Sequence, residues 1–245
     1  MNDPQSVEAK ERIISTATEL FSKKGYDGAK MNEIAQAAAV NKALIYYYFP
    51  TKQSILDHII DSFFNDVTGM GMDFIEVTIK KMINSGRMDI LPDRMRFTTT
   101  EDMLAFKKSI FGYHQRILRY MLQQRSMLRI ILAEALRTGE QQGALLRFFR
   151  LAETSDKNPL FREIRLADSD FDYSGEVIFR KFFFSTMPMI NFIVFHEDYK
   201  KASGMDDDEM LACYLRTIET LNATYFDGND ILMQPGVGTE APREH

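Results

Sequence analysis

Between Asn41 and Lys52 the chain sets out side chains that together suit contact with a nucleic acid. Lys42 and Lys52 are the cations of this stretch, and no acid lies between them. Read as a helix, Asn41, Lys42, Ala43, Tyr46 and Tyr47 share one side, while Ile45, Tyr48 and Phe49, at i, i+3 and i+4, share the other. The outward side offers one ammonium, one amide and two phenols with a small residue between them. Lysine and tyrosine hydroxyls reach phosphates, asparagine can read an adenine edge, and Ala43 and Leu44 can meet a thymine methyl. A helix N-terminus adds free N–H groups that attract phosphate. Consecutive tyrosines can also be plain packing, which is the better reading for Tyr48. Helical spacing cannot bury positions 45 to 49 together, so contact is the better reading for Tyr46 and Tyr47.

The elements that must hold this face follow from turn and cap signals. A short helix is predicted over Met31 to Ala38, with Ile34, Ala35 and Ala38 inward. Ala39-Val40-Asn41 makes a tight turn, and a third helix runs from Lys42 to Tyr48 and stops before Pro50. This is the spacing of a helix-turn-helix. Upstream, Asp3-Pro4 starts a helix with the stripe Ile13, Ala17, Leu20 and Phe21, closed by Lys23-Lys24-Gly25. Downstream, Thr51 caps a longer helix carrying Ile55, Leu56, Ile59, Ile60 and Phe63. Gly69-Met70-Gly71 offers that helix a break.

Ala17-Thr18-Glu19-Leu20-Phe21, Lys24-Gly25-Tyr26, Ile34-Ala35, Val40-Asn41-Lys42, Leu44-Ile45-Tyr46-Tyr47-Tyr48-Phe49 and Thr51-Lys52-Gln53 together resemble the TetR family of transcriptional regulators. The resemblance covers roughly residues 10 to 60. It implies that Met31 to Phe49 or Pro50 is the DNA-binding element. Lys42, Tyr46 and Tyr47 stand where the family touches phosphates, Ala43 and Leu44 where it often reads bases, and Lys52 where a further phosphate contact is common. Three positions depart from the family's pattern. Lys30 replaces a Ser or Thr that often caps the second helix, which loses a cap worth ~1 kcal/mol and leaves Lys30, beside Met31, able to reach a phosphate. Ala39 replaces a turn glycine, at a cost of ~1 kcal/mol in a left-handed conformation. Asn41 replaces a serine and can still cap the third helix.

The rest of the chain reads as helix, and the fold class expected is all-α. The organisation expected is a helix-turn-helix domain over 1–50, a helical regulatory and dimerisation domain over 51–228, and a disordered tail over 229–245, rich in Pro, Gly and Glu. Asn84 to Thr100 reads as a polar loop without a hairpin signal. The tract at Thr98-Thr99-Thr100-Glu101-Asp102 offers capping boxes for a long helical region reaching Arg137, split near Gly112 or Ser126. Ala144–Glu153 and a piece from Asn158-Pro159 are shorter helices. Two helices close the body, Gly175–Lys201, apolar on nearly every face and bent at Pro188, and Asp207–Phe226. Operators for such modules come as two half-sites, so a homodimer through the 175–201 and 207–226 helices is expected on double-stranded DNA.

A small, hydrophobic effector is expected in the body, against Phe111, His114, Leu118, Met121, Phe148, Met187 and Phe192. Each of these can equally be plain core, and Glu134 and Arg137 read as a solvated face. Composition bounds the alternatives. A net charge of −5, with seven acids and seven bases in the first sixty residues, excludes a general nucleic-acid coat and confines DNA contact to a small face. His58, His114, His196 and His245 are far apart, and no HExxH, GxSxG, P-loop or GxGxxG is present, so no enzyme is expected, and neither cofactor nor metal. The single cysteine, Cys213, excludes an internal disulfide and reads as a small apolar helix residue. The polar start and the short apolar run Phe182–Phe195 predict a cytoplasmic protein with no membrane partner. The competing reading is a helical protein-interaction module without ligand control, which leaves the Lys42, Tyr46 and Tyr47 face unexplained.

Overall fold

Pro4 has a fixed φ and no N–H to leave unpaired, and it starts α1, Pro4–Gly28. Ile13, Ala17 and Phe21 recur at helical spacing and are all buried. Gly25 kinks the helix before its last turn, with φ 73° and ψ 166°, a conformation that is costly for any residue with a Cβ. The computed structural model describes residues 4–91, 94–136, 143–172 and 174–223. The expected tail, 229–245, lies outside the described residues, as do Arg137 and the end of the helix expected to reach Phe226.

Helices α2, Met31–Ala37, and α3, Lys42–Tyr48, follow. Helix α4, Lys52–Phe74, does not break at Gly69-Met70-Gly71; it widens through a π-helical turn at Ile75–Ile79 and ends as α5, Lys80–Asn84. Gly71 serves packing instead. A Cβ there would sit 3.0 Å from Cδ2 of Leu160, so its absence admits α9, Pro159–Arg165, against α4.

The polar loop is also more ordered than its sequence suggests. Strands β1, Met88–Ile90, and β2, Met95–Phe97, pair antiparallel with Met88 opposite Phe97 and Asp89 opposite Arg96. Three residues per strand are too few for alternation to stand out. Thr99 caps α6, Thr100–Gln123, by accepting the Asp102 N–H at 3.1 Å. The split before α7, Arg125–Ala135, falls at Gln124, and Gly112 stays inside α6. Helix α8 spans Gly143–Arg150, and Asn158 caps α9.

The long helix expected over 175–201 is three pieces. Helix α10, Gly175–Lys181, passes through a π-helical turn, Phe182–Thr186, into α11, Met187–Val194; Phe195 then separates α12, His196–Ser203. Pro188 cannot donate to the carbonyl four residues back, and the backbone has already widened, with the Met187 N–H bonded to the Phe182 carbonyl. The continuous apolar stretch, Gly175–Val194, is 20 residues, longer than the 182–195 run and long enough by length and composition to cross a membrane. Its Val177, Ile178, Phe182, Ile190, Ile193 and Val194 are nevertheless buried inside the body. Helix α13, Asp207–Ala223, closes the fold, with Cys213 on its exposed side.

The architecture is all-α apart from the hairpin. One buried cluster runs from Ile13 to Leu215 and joins α1–α4 to α6, α7, α8 and α11, with α1 packed along α7. A second cluster, with Phe74, Phe106, Phe161 and Phe171, sits under the hairpin. Glu134 is buried, contrary to the solvated face expected of it: on α7 it continues the inward stripe of Met127, Ile130 and Ile131 at helical spacing.

Candidate nucleic-acid interface

Helix α3 is placed by caps at its ends and by its buried inner face. Asn41 has extended backbone, and its Oδ1 accepts the Leu44 N–H at 2.8 Å, which starts the helix. Ile45 is fully buried and Phe49 is 3% exposed, so the inner face is fixed in the core. The turn before it holds Ala39 at φ 53°, the left-handed alanine that the sequence implied. The Arg12 guanidinium donates to the Ala38 carbonyl at 3.3 Å and holds the turn against α1. At the far end, the Thr51 hydroxyl accepts the Ser54 N–H at 3.0 Å, and the Ser54 hydroxyl accepts the Thr51 N–H at 3.2 Å, a reciprocal cap for α4.

With the inner face anchored, the outer face is left to solvent. Tyr47 is 79% exposed and Tyr46 41%; Asn41, Lys42 and Ala43 are exposed and Leu44 is half-buried. Tyr48 is half-buried, its ring 5.2 Å edge-on from that of Tyr47, so one tyrosine supports and two protrude. Lys30 is exposed and makes no side-chain cap on α2, and Met31 is half-buried against the core. The nearby carboxylate of Glu33 pairs with Lys24, which holds it below its ordinary range and limits the negative potential beside the face.

Lys52 is placed differently from expectation. Its ammonium donates to the carbonyls of Tyr26, at 2.6 Å, and Ala29, at 3.0 Å, and lies 4.2 Å from the Tyr26 ring centroid. The kink at Gly25 brings these carbonyls to the end of α1, where Lys52 donates to both. At most one ammonium proton remains for a phosphate. Lys52 and Arg12 thus position the motif, a role that sequence reading missed. The available signal was a glycine-broken helix end, whose carbonyls favour a nearby cation.

The residues proposed for an effector fall elsewhere. Leu118, Met121 and Phe148 are buried, and Phe111, Met187 and Phe192 are half-buried against the same cluster. His114 is half-buried beside Tyr113, and burial lowers its pKa to about 4. A surface cleft of about 420 Å³ lies instead at the hairpin and shares none of these residues. Among the described residues no three His, Cys, Asp or Glu side chains are grouped to hold a metal ion.

Comparison with known proteins bears on the first of these sites. Residues 13–59 match the profile of bacterial regulatory proteins of the tetR family. The probable HTH-type transcriptional regulator YttP of Bacillus subtilis is 41% identical over 58 residues, which are 24% of this chain and 28% of that protein. The negative transcriptional regulator IcaR of the biofilm operon icaADBC of Staphylococcus aureus (strain Newman) is 41% identical over 56 residues, 23% of this chain and 30% of that one. The match thus spans less than a third of these curated relatives. A solved TetR-family structure from Mesorhizobium loti covers 91% of this chain and all of its own, with TM-score 0.54 and 18% identity, which extends the likeness in fold to the body. Over residues 13–59 the chain thus carries a helix-turn-helix of the tetR family of bacterial regulatory proteins, and beyond it the likeness is one of fold.

Proposed function

We propose that the protein is a cytoplasmic transcriptional repressor that grips a palindromic operator as a homodimer and releases it when a small hydrophobic effector enters the body. The observation that carries this reading is the outward face of α3, where Lys42, Tyr46 and Tyr47 project with no acid among them while Ile45 and Phe49 are fixed beneath. A rigid inner face with an unpartnered phenol and ammonium surface is what a groove requires. Asn41, Ala43 and Leu44 meet base edges in this reading; Lys30 and Met31 approach the backbone, and Lys52 holds the motif in shape with at most one phosphate contact. The likeness to IcaR, a negative regulator, supports repression over activation.

Dimerisation is supported by Phe179 on α10 and by Phe183 and Phe184 in the π-helical turn after it, each about half exposed, with Phe195 and Tyr199 further along. Rings of this size left in water mark a contact surface. Effector control is supported by the aromatic and methionine content of the cluster around Phe148, Met121 and Met187, which can repack around a guest. A titration of purified protein on DNA from upstream of its own gene, across a salt series, tests the core of the proposal. Affinity falls steeply with salt, and Lys42→Ala lowers the salt slope by about one. Binding that is indifferent to salt and to both Lys42→Ala and Tyr47→Ala would overturn it.

A further inference from the structure

The cleft of about 420 Å³ lies between the hairpin, the end of α5 and the segment after α9. Its apolar lining comes from Ile83, Met88, Phe97 and Ala167. Met88 is 4% exposed and Phe97 rests on Phe106 at 5.4 Å, so the Met88, Ile83 and Phe97 part of this lining is backed by the second core cluster. The volume is that of a small-molecule site.

The polar lining is unequal in what it leaves open. Arg96 pairs with Asp89 across the strands at 2.5 Å, which neutralises the guanidinium. The Thr98 hydroxyl donates to the Gly86 carbonyl at 2.6 Å. Asp168 differs. Its Oδ1 accepts the Asp170 N–H at 3.2 Å, and among the described residues no cation pairs with its carboxylate, which leaves Oδ2 to a guest. The cleft therefore combines an apolar wall with one uncompensated carboxylate.

We infer that this cleft binds a small organic cation, a primary amine carrying a short aromatic or branched alkyl group, with the ammonium on Asp168 and the apolar part against Met88 and Phe97. An anion of the same shape meets Asp168 with like charge and finds Arg96 already engaged by Asp89. A neutral molecule gains the wall but not the charge-assisted hydrogen bond. The site is separate from the expected effector residues in the main core, and it stands whether or not the protein binds DNA.

The test uses the full chain with methyl-labelled methionine and isoleucine, titrated with 2-phenylethylamine and, in parallel, phenylacetate. The amine moves the Met88 and Ile83 methyl signals along a saturating curve and leaves Met121 and Met187 still; phenylacetate moves none of them. Asp168→Asn, which keeps the acceptor for Asp170, weakens the amine at least tenfold, and Ala167→Leu, which fills the cleft and retains the charge, does the same. Equal response to both probes, an unchanged affinity in Asp168→Asn, or shifts at Met121 and Met187 with Met88 unmoved each overturns the inference.

Discussion

In the first sixty residues each junction is closed by a directional contact: Arg12 on the Ala38 carbonyl, Asn41 on the Leu44 N–H, Thr51 with Ser54, and Lys52 on Tyr26 and Ala29. The body adds a dense set of ring contacts to its polar ties, such as Tyr120 on Asp66 and Arg147 on Asp61. Phe148 lies 4.7 Å from Phe64 and 5.9 Å from Phe63, Phe74 stacks on Tyr113 at 4.7 Å, and Phe192 on Tyr214 at 4.4 Å. Hydrogen bonds fix angles, whereas ring packing tolerates several arrangements of similar energy. On the proposed function, a face that matches a groove gains from the first kind of joint, and a body that yields to a guest gains from the second.

The largest effect that can break this contrast lies in the body. Phe106 is fully buried between Phe74 and Phe97. Phe106→Ala is expected to cost about 3–5 kcal/mol in urea unfolding, because the second cluster cannot close the space left behind. A loss under about 1 kcal/mol would mean that this cluster collapses freely and that rings are weaker joints than the contrast requires. A smaller effect separates the regions by pH. Burial lowers the pKa of His114 from 6.5 to about 4. Its folded state resists protonation, so its stabilising contribution is complete above pH 6.5. That contribution is lost as pH falls from 6.5 to 4, where only the unfolded chain gains the proton, and it falls no further below that. Discounted for a half-buried side chain, the loss is about 1–2 kcal/mol. Unfolding of wild type and His114→Gln at pH 7 and pH 4 isolates it, and equal losses in both proteins would remove His114 as the cause.

How far each region was legible follows from the same physics. The bounds of α3 and its cap were readable because Asn41, Pro50 and Thr51 each act through backbone chemistry within a few residues. The left-handed Ala39 was readable through the family resemblance, because the turn there is one that glycine often makes. Lys52 was not, since its partners lie 23 and 26 residues away, across a kink that sequence spacing does not measure. In the body, Gly71 looked like a break because glycine disfavours helix, and only the approach of Leu160 shows why it is there. Glu134 looked solvated because charge usually is; its helical phase with Met127, Ile130 and Ile131 was the stronger signal. The hairpin was hidden by strands too short to display a period.

Two substitutions on α3 sharpen the comparison at its finest scale, because they divide what holds the face from what the face does. Asn41→Ala removes the Oδ1 that accepts the Leu44 N–H and is expected to cost about 1 kcal/mol of stability. Tyr47→Ala removes a ring that is 79% exposed and lies edge-on to Tyr48, so the stability change stays within about 0.5 kcal/mol. Operator affinity is expected to reverse the ranking, with Tyr47→Ala losing tenfold or more and Asn41→Ala less. Both are read from urea unfolding and DNA titration of the same preparations. A Tyr47→Ala protein that unfolds earlier yet binds DNA as before would place that phenol in the packing of α3, and the groove-matching role would then have to rest on Lys42 and Tyr46 alone.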